Sequence, residues 1–133
     1  MGGLTFAAAC TDNSIGPAFA IPKALEKAGI SKDDVDFYEI NEAFASQAVM
    51  SVQHLQLPFE KVNPNGGAIA MGHPLGATGA RQIATAMAEA KREKKKVFVT
   101  SMCIGSGMVS VLQTCTVNSA DDQGMAAVFV SEQ

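Results

Sequence analysis

The sequence predicts an α/β fold: a mixed, mostly parallel sheet flanked by helices. Three observations predict it. Hydrophobic periodicity switches along the chain between helical and strand spacing. One strand candidate, Lys96-Val97-Phe98-Val99-Thr100-Ser101-Met102, is too apolar to have an open face and belongs in mid-sheet. Apolar residues make up 47% of the chain and mean hydropathy is +0.14, enough for a core. The 133 residues fit one domain.

The elements follow in order. Residues 1–14 are small, apolar and weakly patterned. Residues 17–28 show helical spacing, with Phe19, Ile21, Leu25 and Ala28 as the apolar set, and Gly29 ends the helix as a left-handed cap. Pro22 either kinks or starts it. Asp33 and Asp34 make a turn, and Val35-Asp36-Phe37-Tyr38-Glu39-Ile40 reads as a strand. Residues 41–55 form the second helix, with Phe44, Ala45, Ala48, Val49, Val52 and Leu55 on its inner face. Asn63-Pro64 and Gly66-Gly67 mark a tight loop. The third helix runs over 78–94 with Ala80, Ile83, Ala84, Met87 and Ala88 as its buried stripe. The apolar strand follows, and residues 126–130 are the last strand. This order packs helices on a sheet whose strands are joined by crossovers. Ligands then bind beyond the carboxyl ends of the strands, where Asn41 and Cys103 fall.

Composition excludes several functions. A net charge of −3 gives no case for nucleic acid or an anionic membrane. The basic cluster at residues 91–96 reads as a solvated helix end. No apolar run is long enough to span a membrane. Cys10, Cys103 and Cys115 have no paired spacing, and the two histidines, His54 and His73, do not complete a zinc set. The expectation is a reducing compartment, no metal and no cofactor. The start lacks the charged region of a secretory signal, and Ser131-Glu132-Gln133 is not a peroxisomal tripeptide.

Three places carry chemistry. His73 sits in Gly72-His73-Pro74-Leu75-Gly76-Ala77-Thr78-Gly79, before a helix whose positive end favours a neutral imidazole. It can take a proton or polarise an oxygen, be held by loop hydrogen bonds alone, or stand in a phosphate cradle. Cys103 follows a strand and precedes Gly105 and Gly107, whose amides can approach a ligand. It is either a reactive thiol or a buried structural cysteine. Asn41 is either an amide at a strand end holding a water or substrate oxygen, or the cap of a helix. His54 lacks a companion group and reads as a surface or packing residue.

Three blocks taken together resemble one family. They are Asn41-Glu42-Ala43-Phe44-Ala45, residues 62–81 around Asn63-Pro64-Asn65-Gly66-Gly67 and Gly72-His73-Pro74, and Ser101-Met102-Cys103-Ile104-Gly105-Ser106-Gly107-Met108. In order and spacing they resemble the C-terminal domain of thiolases, nearest to peroxisomal-type 3-ketoacyl-CoA thiolase. The resemblance implies cleavage of a 3-ketoacyl-CoA by coenzyme A, a substrate rather than a cofactor, in fatty-acid β-oxidation. It gives Cys103 the role of a proton-exchanging second cysteine and His73 that of activating a nucleophilic cysteine. Asn41 would hold a water in one oxyanion hole, and the Gly105 N–H would serve another.

The resemblance also marks departures. Residues 1–14 match no family block, and residues 15–133 correspond to the domain. Residues 109–123 interrupt it as an insert with the character of a retained short intron. Cys10 lacks the turn that carries the family's nucleophile, so the chain alone is expected to be inactive. Its implied partners are a thiolase N-terminal half and a second copy, in the peroxisome. Two other readings stand beside this one: a non-catalytic remnant that only binds a partner chain, and a redox protein using Cys103.

Overall fold

The structure is a computed structural model that describes residues 4–9, 16–103 and 124–130, with the backbone alone at 4–9, 103, 124 and 125. Four strands and four helices run in the order β1 (Leu4–Ala9), α1 (Gly16–Ala28), β2 (Phe37–Ile40), α2 (Ala45–Leu55), α3 (Ala68–Met71), α4 (Thr78–Glu93), β3 (Val97–Cys103), β4 (Gly124–Val130). The sheet order is β1-β4-β3-β2.

The expected α/β class and mixed sheet are present, and β3 lies in mid-sheet between β2 and β4. Its pairing with β2 is parallel, as a crossover through α2, α3 and α4 allows. Its pairing with β4 is antiparallel, and β4 pairs antiparallel with β1. The parallel share is therefore smaller than the element order predicts. The reason is local: no helix among the described residues separates β3 from β4, and the short apolar run Leu4–Ala9 adds a strand where none is expected.

Two cores lie against the sheet. Ala20, Ile21, Ala24 and Leu25 of α1 pack with Val35, Tyr38, Ile40, Val99, Ala126 and Val128. A second cluster joins Phe37 and Phe98 to Ala86 and Ala90 of α4. The register aligns Phe37 with Phe98 and Phe98 with Phe129, so three rings form a ladder across β2, β3 and β4. Their centroids are 5.3 and 4.8 Å apart, and each such pair adds about 0.5–1.5 kcal/mol to its burial.

The helix faces depart from expectation. In α1 the buried set is Gly16, Pro17, Ala18, Ala20, Ile21, Ala24 and Leu25, while Phe19 turns outward against the His54 ring. Pro22 lies inside the helix on its exposed side, and Gly29 ends it at φ 69°. Helix α2 starts at Ala45, so Asn41 is not its cap. It buries Gln47, Ser51 and Val52 and leaves Val49 exposed, as is Phe44 just before it. Helix α4 buries Thr78, Gln82, Ala86, Glu89 and Ala90, whereas of the expected stripe Ala80, Ala84, Met87 and Ala88 face out and Ile83 is half-buried. Buried polar residues with bonding partners, not apolar periodicity, orient α4.

Those polar anchors are specific. Glu89 is buried and bonded by Asn65, Lys95 and Arg92. Burial pushes its carboxyl up, but bonds from Asn65 and Lys95 and the charges of Arg92 and Lys95 outweigh that and hold it below the ordinary range. Gln82 Nε2 donates to the carbonyls of Glu39 and Ser101 at 3.3 and 3.4 Å. The start of α4 therefore lies over the carboxyl ends of β2 and β3.

Candidate functional site

The site begins at the end of β2. The Asn41 N–H donates to the Ser101 carbonyl at 2.8 Å, extending the parallel ladder one residue past β2. That fixes Asn41 at a strand end beside β3, two residues before Cys103. Strand β2 is an edge of the sheet, and edges need cover. Here the loop after α2 supplies it. Asn63, at φ 49°, gives its N–H to the Tyr38 carbonyl. Its Oδ1 accepts from the Ile40 N–H at 2.8 Å, and its Nδ2 donates to the Ile40 carbonyl at 2.9 Å. One asparagine side chain thus imitates a neighbouring strand.

Glu42 ties the loop down further. Its Oε1 accepts from Asn63 Nδ2 at 2.9 Å and its Oε2 from the Ile69 N–H at 3.0 Å. Gly67 makes this possible, because a Cβ there would overlap the Glu42 carboxyl group. Its backbone is extended, at φ −106°, so space and not strain requires glycine. Gly67→Ala is expected to expel Glu42 from both bonds and to lower stability by about 1–3 kcal/mol, read as a shifted urea midpoint.

The loop then delivers His73. Gly72 turns the chain at φ 86°, a region that favours glycine. His73 lands between Asn41 and α4. Its Nδ1 is 2.8 Å from Thr78 Oγ1, and its Nε2 is 3.3 Å from Asn41 Nδ2. Thr78 donates its hydroxyl proton to the Pro74 carbonyl at 3.0 Å. With that proton committed, Oγ1 can only accept, so Nδ1 carries the imidazole hydrogen. Nε2 is left with a lone pair aimed at the Asn41 amide. Such an imidazole can take a proton from a thiol through Nε2. Thr78→Val is expected to release this tautomer. In ¹⁵N spectra of the neutral imidazole, the wild type should show Nδ1–H dominant and the variant a mixture. An Nε2–H form dominant in the wild type would refute the assignment.

The structure therefore brings His73 and Asn41 into contact. Gly79 of α4 packs beside Met102, the residue before Cys103, so the backbone of Cys103 ends at the same end of the sheet. The direction of its thiol lies outside the described residues, as do Gly105, Cys10 and residues 109–123. His54 is exposed and lies against the Phe19 ring, a surface and packing place as expected. Among the described residues no group of three or more His, Cys, Asp and Glu could hold a metal, and no helix is long and apolar enough to cross a membrane.

Sequence reasoning missed four contributors: Thr78, Asn63, Glu42 and Glu39. Glu39 is buried, and burial, followed by the charges of Glu89 and Glu42 and partly opposed by Arg81, pushes its carboxyl up to about 7. An acidic residue inside an otherwise apolar strand was the available signal.

An imidazole of fixed tautomer and an asparagine amide meet at the carboxyl end of a mixed α/β sheet, a pairing that can accept or donate a proton there. The chain belongs to the thiolase C-terminal domain family: the family model "Thiolase, C-terminal domain" matches residues 4–115. It is 66% identical over 94 residues to the peroxisomal 3-ketoacyl-CoA thiolase of Yarrowia lipolytica, covering 71% of this chain and 23% of that protein. The human peroxisomal 3-ketoacyl-CoA thiolase is 64% identical over 95 residues, 71% of this chain and 22% of that one. The solved peroxisomal thiolase of Saccharomyces cerevisiae, a five-layered structure built from two core domains of identical topology, superposes with a TM-score of 0.78 at 43% identity. That match covers 99% of this chain and 35% of the yeast chain. Human mitochondrial 3-ketoacyl-CoA thiolase gives a TM-score of 0.82 at 38% identity, covering 97% of this chain and 30% of the other. The chain thus spans less than a quarter of the length of these curated relatives.

Proposed function

We propose that this chain supplies the acid/base half of a peroxisomal 3-ketoacyl-CoA thiolase in fatty-acid β-oxidation and is inactive alone. The observation that carries this reading is the Asn41–His73 contact, with Nδ1 committed to Thr78. In the reaction, a thiol from the N-terminal half gives its proton to His73 Nε2 and attacks the 3-keto carbon. The oxyanion so formed needs preorganised donors, each worth about 3 kcal/mol of barrier. His73, once protonated, is one, and a water held by Asn41 is another. The carbon–carbon bond breaks, and Cys103 protonates the departing acetyl-CoA carbanion. Coenzyme A then attacks the acyl-enzyme thioester, giving its thiol proton to the Cys103 thiolate; the N-terminal sulfur leaves as the shortened acyl-CoA is released and takes its proton back from His73. No cofactor or metal enters these steps, and Gly105 serves the second oxyanion position.

The partners follow from the same reading: a thiolase N-terminal half, the acyl-CoA substrate and a second copy of the assembled enzyme. The outward apolar side chains Phe44, Met50 and Met87 support an associating chain. Residues 15–133 act as the body of the domain, to whose sheet Leu4–Ala9 adds a strand, with residues 109–123 inserted in it. The test is to mix the purified chain with the separately expressed N-terminal half of the Yarrowia lipolytica enzyme and follow acetoacetyl-CoA cleavage. Activity in the mixture alone supports the proposal. Binding without activity would favour a non-catalytic remnant. Cleavage by the chain alone, lost in Cys103→Ala, would overturn inactivity of the fragment.

A further inference from the structure

We propose that Glu39 is a positioning residue: in its protonated form it donates a hydrogen bond to Asn41 Oδ1, directly or through one water, and so keeps Asn41 Nδ2 turned to His73. Residues 39 and 41 are two apart on one strand and its extension, and so share a face of the sheet. Both side chains are 2% exposed. Glu39 Oε1 and Asn41 Oδ1 are each buried without a hydrogen-bond partner. Both residues line one small pocket, closed by Asn63, Gly67 and, from α4, Arg81 and Gln82. Two orphaned oxygens on one pocket wall cannot satisfy each other while both only accept. One proton on the carboxyl group resolves the mismatch.

The surroundings decide where that proton resides. Burial disfavours the carboxylate. Around Glu39 stand Glu42 beyond β2 and Glu89 and Arg81 on α4, with His73, on the loop before α4, bonded to Asn41; among the described residues the Arg81 charge opposes the two acidic neighbours. The outcome is a carboxyl group lifted to about 7. Once ionised, Glu39 attracts the Asn41 NH₂ group instead. The amide then turns over, presents Oδ1 to His73 and loses the bond to Nε2. Glu39 thus selects the orientation of Asn41.

The inference rests on the proposed function only in giving that orientation a catalytic use. Its test reads the 133-residue chain itself, so it survives or fails independently of thiolysis. ¹³C-carboxyl and ¹⁵N spectra are followed from pH 5 to pH 9 at Glu39 Cδ, the Asn41 NH₂ pair and His73 Cε1. The Asn41 signals are expected to move with a midpoint near 7 that tracks the Glu39 carbon. In Glu39→Gln, whose amide donates at every pH, only movement tracking His73 should remain. Asn41 signals that follow His73 alone in the wild type would overturn the proposal. So would a Glu39 carbon titrating in the ordinary carboxylate range, a measurement that needs no variant to fold.

Discussion

Thiolysis by the reconstituted enzyme is expected to fall about 10³-fold in kcat when His73 becomes Ala, with KM little changed. In the proposed reaction the imidazole contributes to proton transfer in the transition state and little to holding the acyl-CoA, so the loss would belong to the chemical step. Asn41→Ala should cost about 10²–10³-fold, the worth of one oxyanion donor. Asn41→Asp should be no better than Ala. A carboxylate only accepts, and it would face a nitrogen that already presents a lone pair. Assays of kcat and KM on the three mixtures check this. A His73→Ala mixture retaining more than a tenth of the activity would show that the imidazole is not the base.

Unfolding of the wild-type chain is expected to become easier as pH rises from about 4.5 to 7, by up to about 3 kcal/mol. The sign follows from Glu39, whose carboxyl is lifted by burial first and by Glu89 and Glu42 next, from 4.5 to about 7. The folded chain keeps a proton that the unfolded chain releases. Its stabilisation is complete below the unfolded value and is lost as pH climbs through the folded one. Glu39→Gln removes the titration, so its urea midpoint should stay level across this window and exceed the wild type at pH 8. Glu89 acts in a separate window and with the opposite sign. Its carboxyl is held below the ordinary range, so its contribution fades only as pH falls below about 4.5. A wild type and a Glu39→Gln variant with parallel curves from pH 5 to pH 8 would show that Glu39 is ionised throughout.

Much of the architecture was legible in the residues. The near-continuous apolar run of β3 announced its central place, and Gly29 marked where α1 stops. His73 and Asn41 were legible because glycines and a strand end isolate them. The faces of α2 and α4 were not. Apolar periodicity favoured Val49 and Met87, yet Gln47, Thr78, Gln82 and Glu89 turn inward instead. In α4 most of the carbonyls and side chains those groups meet lie outside the helix, which a one-dimensional pattern does not record. The antiparallel partners of β4 escaped for a similar reason, since sheet order depends on contacts between segments far apart in the chain. Thr78 was read only as the start of a helix, because its value depends on a carbonyl four residues back and a ring five residues back.

The bond between Thr78 and His73 has a directional consequence. One nitrogen of the ring is permanently engaged at the rear, so traffic in hydrogen ions passes through the front door alone. Whatever reacts here must arrive along the Asn41 side. Under the proposed function, a second polypeptide bringing a sulfur nucleophile therefore has a single angle of approach, and an assembly that covered that flank would be silent however tightly it formed.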